Sequence, residues 1–586
     1  MHALLEELGS AASAALVKAF GAEGVPPSLV FEPSPRADVQ CTAAMQLAKA
    51  LRKPPRDLAA AILPSVLSHP AVEKAEMAGA GFINVTLRDA WIAEHLDDAL
   101  THRPVGAGQT VVLDYSSPNV AKPMHIGHIR STILGEAMKR VLRAVGYTVV
   151  ADNHLGDWGT QFGKLIVGWR RYLDRAAYER DPVGELLRIY VKYTEEEKAQ
   201  KQALGAPVKE GDDDDAPLPA QAPALLLEAR AELVKLQAGD PENVALWKQF
   251  VDVSMAEFDR VYKRLGVGFD EVLGESFYND QLAATVDELL EKGIAEHSQG
   301  AVIVTFTKER DGEAMPPMLV RKADGGFLYG TSDIAAMRYR MGRWSPSRVL
   351  IVTDERQQLH FRQLFAVARR LGVPARLEHV WFGLMRLPEG TFSTRDGNVI
   401  SLESLLDEAE KRAADVARSL NADLAEAELA EVARVVGLGS VKYNDLSKDR
   451  QTLITFTWDK ALSLQGNTAP YVQYAYARIR SIQRKVAELG AVPGPLVALE
   501  PTERALVMTL LRYPLAVEEV AMSSRPHALC DYLFELAGAF SSFFNDCPVK
   551  DAEPSVRAAR LTLCDRVATV LRRGLDLLGI EVVERM

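Results

Sequence analysis

The stretch SSPNVAKPMHIGH, residues 116–128, decides the fold through what stands on either side of it. Residues 111–115 form a short apolar run that is typical of a buried parallel strand. Apolar residues then recur at helical spacing through residues 129–145, and Gly146 ends that pattern. Residues 147–151 predict the next strand. A strand, a helix and a second strand in this order predict a βαβ unit, and with it an α/β domain built on a Rossmann-like, doubly wound parallel sheet.

The same stretch predicts a ligand site, because parallel sheets bind ligands where their strands end. The helix that follows attracts phosphate through its free N–H groups and its dipole. His125 and His128 can donate hydrogen bonds to phosphate oxygens, and Gly127 leaves room for a nucleotide to approach the backbone. The tetrapeptide HIGH could also open an ordinary helix by chance, but its place between strand and helix favours a nucleotide site.

A second polar stretch, NHLGDWGTQFG at residues 153–163, follows the second strand. It could be no more than a glycine-rich turn. The density of Gly, Asp and His at the carboxyl end of a strand favours a ligand site instead.

The rest of the chain divides into three predicted domains: 1–108, 109–445 and 446–586. The first is a small α+β domain, with a helical start, a helix near 40–51 and a strand at 80–87, and it ends in a Pro- and Gly-rich linker at 102–109. The last is almost entirely helical and predicts an all-α bundle.

The middle domain carries a helical insertion at about residues 170–270, interrupted by a loop at 205–223. The run Asp212 to Asp215 in that loop could suggest metal binding, but contiguous like charges among prolines favour a solvated flexible loop. Strand patterns return at 301–306 and 348–352, which predicts that the insertion splits the parallel sheet.

Composition narrows the class of protein. The chain has 586 residues, 48% hydrophobic and 25% charged, as in ordinary globular proteins. It shows no apolar run long enough to span a bilayer, and the N-terminus with Glu6 and Glu7 does not resemble a secretory signal. Four cysteines without CxxC pairing predict free buried thiols in a reducing cytoplasm, rather than a zinc site or disulfides.

The net charge of −11 argues mildly against a nucleic-acid partner, although an acidic protein can still carry a local basic face. The C-terminal region mixes aromatic and basic side chains, which suits unpaired bases. The candidates are Tyr471, Gln473, Tyr474, Arg478 and Arg484. On composition alone, tyrosines in a helix core and arginines on a solvated face explain the pattern equally well.

The HIGH tetrapeptide in this context resembles the signature of class I aminoacyl-tRNA synthetases and their nucleotidylyltransferase relatives. With Asn119 and Lys122 ahead of it, and with residues 153–163, the chain is similar to the arginyl member of that group. The resemblance implies that ATP activates L-arginine to arginyl-adenylate and that the arginine is transferred to the 3′-terminal adenosine of tRNA(Arg). Activation is expected to depend on tRNA, as in the arginyl enzymes.

The resemblance also implies a tRNA-contacting N-terminal domain and an anticodon-binding C-terminal bundle. ATP is expected as a complex with Mg²⁺, without a structural metal held by the protein. We also expect a cytoplasmic monomer that has no membrane partner.

The KMSKS-type loop of class I enzymes matches TFSTRDGN at residues 391–398, which lacks both lysines. The developing pyrophosphate still needs cations. The implied catalytic residues are therefore His125, His128, Lys122 and Arg395. The ATP-binding set adds Gly127, Ser393 and Thr394, and Lys122 stands where many arginyl enzymes carry a lysine that replaces the missing loop lysine.

Amino-acid specificity needs carboxylates or amide oxygens arranged to match a planar guanidinium. By resemblance, the substrate side chain and its surroundings are held by Glu275, Tyr329, Asp333 and Gln357. Asp114 and Asn119 would lie near its α-amino and carboxyl groups. Each of these residues taken singly could equally be a helix cap or a surface group.

Two rivals remain on the sequence. One is a related enzyme for another substrate, such as a cysteinyl synthetase or a small adenylyltransferase; the missing cysteine–histidine zinc set and the long flanking regions count against these. The other is a paralogue that only binds RNA. The altered loop favours it, and the retention of both His125 and His128 disfavours it.

Overall fold

The chain folds into two units, each drawn from separate segments. The structure, a computed structural model, describes residues 1–204, 222–323, 325–386, 401–420 and 424–586. Nearly all of the predicted loop 205–223 and all of the stretch 391–398, with Ser393, Thr394 and Arg395, lie outside these residues. The first unit comprises Met1–Arg103, Ala417–Val436 and Ser463–Met586, and the second Pro104–Val416 and Gly437–Leu462.

The N-terminal segment forms a small antiparallel sheet with helices, which confirms its α+β class. Its elements are α1 (His2–Phe20), β1 (Phe31–Ser34), β2 (Ala37–Cys41), α2 (Ala43–Leu51), α3 (Pro55–Leu67), β3 (Val72–Ala78), β4 (Phe82–Leu87) and α4 (Asp89–Glu94). The strand order is β1-β2-β4-β3. Strand β4 buries Ile83, Val85 and Leu87 and turns the residues between them outwards, as strict alternation requires.

The second unit begins with the predicted βαβ segment, followed by the helical insertion. Its elements are β5 (Thr110–Asp114), α5 (Ile126–Ala144), β6 (Thr148–Asn153), α6 (Thr160–Tyr172), α7 (Arg175–Arg180), α8 (Pro182–Ala203), α9 (Ala224–Gln237), α10 (Pro241–Leu265), β7 (Glu271–Val272) and α11 (Leu282–Glu291). The insertion therefore separates β6 from β7.

The predicted strand at 301–306 does not extend the parallel sheet, so that expectation was wrong. β8 (Glu296–Ser298), β9 (Ala301–Val304) and, after α12 (Lys308–Asp311), β10 (Met318–Arg321) form a separate antiparallel sheet. The reason is the two-residue turn at Gln299 and Gly300, which have φ values of 49° and 81°. Positive φ at both positions is the geometry of a tight hairpin, and a hairpin forces antiparallel pairing.

The second unit closes with α13 (Tyr329–Trp344), β11 (Arg348–Ile351), α14 (Gln358–Arg370), β12 (Arg376–His379), β13 (Met385–Arg386), α15 (Leu402–Leu420), α16 (Glu426–Leu446), β14 (Ile454–Thr455) and α17 (Trp458–Ala461), although parts of α15 and α16 belong to the first unit. The parallel sheet has the order β12-β11-β5-β6-β7. Its inner strand β11 is the one predicted at 348–352, and the doubly wound parallel sheet is confirmed.

The C-terminal segment is helical: α18 (Ala469–Ala487), α19 (Pro501–Leu511), α20 (Tyr513–Ser523), α21 (His527–Asp546) and α22 (Pro554–Leu577). It packs with the N-terminal segment in one unit, where Arg504 binds Asp38 through two nitrogens at 2.8 and 2.7 Å. All four cysteines are buried and free, as predicted. No helix among the described residues is long and apolar enough to cross a membrane.

Candidate active site at the carboxyl edge of the parallel sheet

Three neighbouring strands end at one edge of the sheet, and two of them, β5 and β6, place carboxylates there. In register, Asp114 at the end of β5 stands between Asp152 of β6 and Ile351 of β11. The chain leaves β5 for β6 on one side, while β11 arrives much later on the other. This is a topological switch point, where doubly wound sheets bind ligands.

The loop after β5 is strained and firmly held. Ser116, Ser117 and Ala121 have φ values of 72°, 47° and 62°, which residues other than glycine rarely adopt. The backbone N–H of each is bound: Ser116 to Ser131 Oγ at 2.9 Å, Ser117 to Asn153 Oδ1 at 3.0 Å, and Ala121 to Ser254 Oγ at 2.9 Å. Such clustered strain persists only where the surroundings fix it, as they do at ligand sites.

His125 and His128 form a reciprocal cap at the start of α5. His125 Nδ1 accepts the Gly127 N–H at 3.0 Å, and His128 Nδ1 accepts the His125 N–H at 3.2 Å. A nitrogen that accepts an N–H carries no proton, so in both neutral rings the proton lies on Nε2. A side chain on residue 127 would lie 2.8 Å from the His125 ring, which is why glycine stands there.

Both imidazoles are neutral at physiological pH. Burial, together with the charges of Lys122 and Arg356, lowers the pKa of His125 to about 4. Burial also lowers the pKa of His128 to about 3, with contributions from His125 and Lys122. The pair therefore offers Nε2–H donors to phosphate oxygens without changing protonation.

We expect these two histidines to make the protein less stable as the pH falls from about 6.5 towards 4. The unfolded chain protonates both histidines below about pH 6.5, whereas the native state protonates them only near their lowered pKa values. Between these pH values each histidine therefore lowers the free energy of unfolding by up to about 1.4 kcal/mol per pH unit. Calorimetry at pH 6.5 and pH 5 measures the loss in Tm. In His128→Gln this loss should be smaller, and an equal loss would contradict the assignment.

Two cations lie near the histidines. The Lys122 ammonium is 4.3 Å from the centroid of the Tyr190 ring. Arg356, absent from the sequence predictions, lies in the turn after β11 and is 71% exposed; Asp354 binds it at 2.5 Å. The predicted cation Arg395 lies outside the described residues. Of the expected phosphate-binding cations, the described structure thus places Lys122 beside the histidines and adds Arg356.

The buried guanidinium of Arg340 binds Asp114, which is predicted to lie near the α-amino group of the substrate. Its Nη2 donates to Asp114 at 2.6 Å and to Asp152 at 2.8 Å, and both carboxylates are almost wholly buried. Burial raises the pKa of Asp152, which Arg340 opposes and Asp114 reinforces. Arg340 thereby keeps the carboxylates of two adjacent strands together.

Asn119 joins the two sequence stretches that predicted the site. It bridges to Gly156, whose N–H donates to Pro118 O and whose carbonyl accepts from Val120 N–H, each at 3.1 Å. A Cβ on residue 156 would lie 2.3 Å from Asn119 Oδ1. The glycine of the second stretch is therefore needed for the position of Asn119.

Asp333, which is predicted to recognise the substrate side chain, lies between two imidazoles. Its Oδ2 lies 2.5 Å from His360 Nε2, and its Oδ1 lies 3.7 Å from His154 Nε2. Burial alone would raise the pKa of Asp333. The hydrogen bond from His360 and the electrostatic effect of His360, His154 and Arg340 bring that pKa below its ordinary value. Asp333 is therefore ionised and fixed in direction, with 21% of its side chain exposed.

The other residues predicted to recognise the substrate side chain are Tyr329, Glu275 and Gln357. Tyr329 is 51% exposed and its ring lies 4.9 Å from that of His360. The Glu275 N–H donates to Leu155 O at 3.0 Å, which joins its segment to the stretch after β6. Gln357 is exposed in the turn before α14.

Sequence reasoning missed several polar residues around the site: Tyr190, Arg340, Arg356 and His360. His154 belongs to the second polar stretch, 153–163, that predicted a ligand site, and among the described residues neither of its buried ring nitrogens has a hydrogen-bond partner. Among the described residues, no cluster of three or more His, Cys, Asp or Glu side chains could hold a metal ion.

Comparison with known proteins places this site in a family. A family model described as "tRNA synthetases class I (R), catalytic domain" matches residues 94–458. Arginine–tRNA ligase of Fusobacterium nucleatum is 44% identical over 94% of this chain and 93% of its own, and that of Alteromonas mediterranea is 41% identical over the whole of both chains. The chain belongs to the arginyl-tRNA synthetase family.

The flanking segments match two further family models. Residues 6–87 match "Arginyl tRNA synthetase N terminal domain", and residues 472–586 match "DALR anticodon binding domain". The solved arginyl-tRNA synthetase of Thermus thermophilus has 25% identity, a TM-score of 0.80 and full coverage of both chains. That of Plasmodium falciparum has 24% identity and a TM-score of 0.81, covers all of this chain and 99% of its own, and is similar in fold.

The residues predicted to bind RNA fall on α18 in the anticodon-binding-type segment of this family member. Arg478 lies 5.0 Å from the Tyr474 ring and 4.8 Å from the ring of Phe544, which the sequence predictions missed. Both rings are partly exposed, at 38% and 37%. Together they form an exposed aromatic surface with a cation in it.

The remaining members of that set serve contacts within the unit. Gln473 is fully buried and its amide nitrogen donates to Glu581 O at 2.8 Å, which leaves no accessible surface for an RNA contact. Arg484 donates to Glu584 O at 3.2 Å. The Tyr471 ring packs 5.4 Å from that of Phe534.

Proposed function

We propose that this protein ligates arginine to tRNA, through arginyl-adenylate. The observation that carries the proposal is the pair of neutral histidines at the start of α5, set at the switch point of the parallel sheet in a member of the arginyl-tRNA synthetase family. A phosphate group at a helix start meets free N–H groups and a favourable dipole. The two Nε2–H groups add donors at that place.

In the first step a carboxylate oxygen of arginine attacks the α-phosphorus of ATP, and the bond to pyrophosphate breaks. His125 and His128 hydrogen-bond to the phosphates, while Lys122 stabilises the charge that develops on the leaving pyrophosphate. In the second step the ribose hydroxyl of the terminal adenosine attacks the arginyl carbonyl, and AMP leaves. Neither step needs a protein nucleophile, so position and charge account for the rate.

The amino acid is proposed to lie between Asp114 and Asp333. Asp114, fixed by Arg340, faces the α-ammonium group, with Asn119 beside the carboxylate. Asp333, ionised and fixed by His360, faces the guanidinium. Glu275, Tyr329 and Gln357 complete the surroundings of the side chain.

The proposed partners are ATP with Mg²⁺ and tRNA. ATP is proposed to arrive with Mg²⁺ on its phosphates, where the ion supplies further neutralisation of their charge. The surface of Tyr474, Arg478 and Phe544 suits an unpaired base of tRNA, because rings stack on bases and the cation pairs with phosphate. The three-part division at residues 108 and 445 and a monomeric, cytoplasmic protein stay predictions.

We expect ATP–pyrophosphate exchange with arginine only when tRNA is present, as the resemblance to arginyl enzymes implies. The purified protein is assayed with ATP, arginine and radiolabelled pyrophosphate, with and without tRNA, and cysteine serves as the competing amino acid. Strong exchange without tRNA would contradict the dependence. The absence of exchange under both conditions, with tRNA binding retained, would instead support a paralogue that only binds RNA.

A further inference from the structure

The side chain of Lys122 is held by a ring rather than by an acid. Its ammonium lies 4.3 Å from the centroid of Tyr190, and in the described part of the chain it makes no ion pair with a carboxylate. An ion pair would neutralise Lys122, whereas the negative face of a ring confines an ammonium group and leaves its charge available. The charge is indeed felt nearby, because Lys122 contributes to the lowered pKa of both His125 and His128.

The Tyr190 ring is presented by a helix that is itself fixed. Tyr190, Tyr193 and Glu197 follow one another at helical spacing on α8 and therefore share a face. Tyr193 donates to Leu225 O at 2.6 Å, and Glu197 pairs with Lys164 of α6 at 2.9 Å, all of them buried. The face of α8 that carries Tyr190 is thus anchored to its neighbours on both sides.

The backbone beside Lys122 is fixed by another helix of the same insertion. Ala121 adopts a φ of 62°, and its N–H donates to Ser254 Oγ of α10 at 2.9 Å. The helix α10 therefore holds the start of the lysine side chain, and α8 holds its end. Both ends of Lys122 depend on the helical insertion rather than on the parallel sheet.

We propose that Tyr190 is a positioning residue for Lys122: its ring keeps the ammonium group beside the phosphate-binding start of α5, so that the insertion controls the cation of the pyrophosphate step. The inference rests on the proposed function. A free lysine has four rotatable bonds and spends little time at any one place. A ring beside it raises the fraction of enzyme molecules in which the ammonium group lies beside the start of α5.

Tyr190→Leu should lower kcat for arginylation by about three- to tenfold, the range of a partly shielded cation–π contact, with little change in the KM for arginine. Tyr190→Phe keeps the ring face and should restore most of the loss. The matched control is Lys192→Leu, which removes a second pair on the same helix, the Lys192 ammonium 4.6 Å from the Tyr172 ring, and should leave kcat within about twofold.

A double-mutant cycle with Lys122→Ala separates positioning from folding. In the Lys122→Ala background, Tyr190→Leu should cost less than about twofold, because the group that it positions is gone. An equal loss in both backgrounds, no loss in the wild-type background, or equal losses in the Phe and Leu variants would each overturn the inference. Failure of the wild-type protein to form arginyl-tRNA would instead overturn the proposed function.

Discussion

Replacing Lys122 with alanine should lower kcat for arginylation by a factor of about 10² or more, the usual cost of losing one preorganised charge stabiliser. The negative charge on pyrophosphate develops only in the transition state, so the KM for arginine should change less. The stretch that matches the KMSKS-type loop lacks both lysines. Lys122 is the lysine nearest to the histidine pair in sequence.

Steady-state arginylation at varied ATP and arginine measures this prediction, with Lys192→Ala as the control for losing a lysine from the adjoining insertion. Near-normal turnover in Lys122→Ala would move the role to another cation. Arg356 and Arg395 are then the candidates, and alanine variants of each would tell them apart.

Replacing Asp333 with asparagine should raise the KM for arginine and erode discrimination against citrulline. Polar sites of this kind discriminate by up to roughly 10⁴–10⁵, since a wrong ligand leaves buried groups without partners. Citrulline keeps the shape of arginine and lacks its charge, so an ionised Asp333 rejects it while an amide does not. The arginine-to-citrulline ratio of kcat/KM should fall by about 10² or more.

Pyrophosphate exchange with arginine, citrulline and lysine, all with tRNA present, gives the ratios. Lysine carries the charge but cannot form the planar fork, so it reports on geometry rather than on charge. Glu313→Gln is the control, because it removes a negative charge paired with Arg362 on α14 at 2.6 Å, on an exposed surface. An unchanged arginine-to-citrulline ratio in Asp333→Asn would make Asp333 a structural residue, with recognition left to Glu275.

The parts of the fold that the sequence predicts are those with a strong local period. The βαβ segment shows an apolar run, a helical pattern and a stop at Gly146, and the structure has β5, α5 and β6 there. The error at residues 301–306 has a local origin too. Four consecutive apolar residues do not tell which sheet a strand joins, and the deciding signal was the hairpin at Gln299 and Gly300.

The site was predictable where its residues are neighbours in the chain and not where folding gathers them. His125 and His128 stand together in a recognisable pattern. Arg340 lies 226 residues after Asp114, and no pattern of sequence links the two. The same holds for Tyr190, whose spacing on α8 is that of any amphipathic helix and whose role depends on where the insertion places it.

The first unit joins segments that lie far apart in the sequence, and this sets an order of events during synthesis. Asp38 is synthesised 466 residues before Arg504, and at 5–20 residues per second the interval on the ribosome is roughly 20 to 90 s. Through that interval the N-terminal segment has to persist without the C-terminal helices that share its unit, while the second unit emerges and folds. A ribosome that stalls late in the message therefore leaves a chain whose second unit is complete and whose N-terminal segment lacks the C-terminal helices of its own unit.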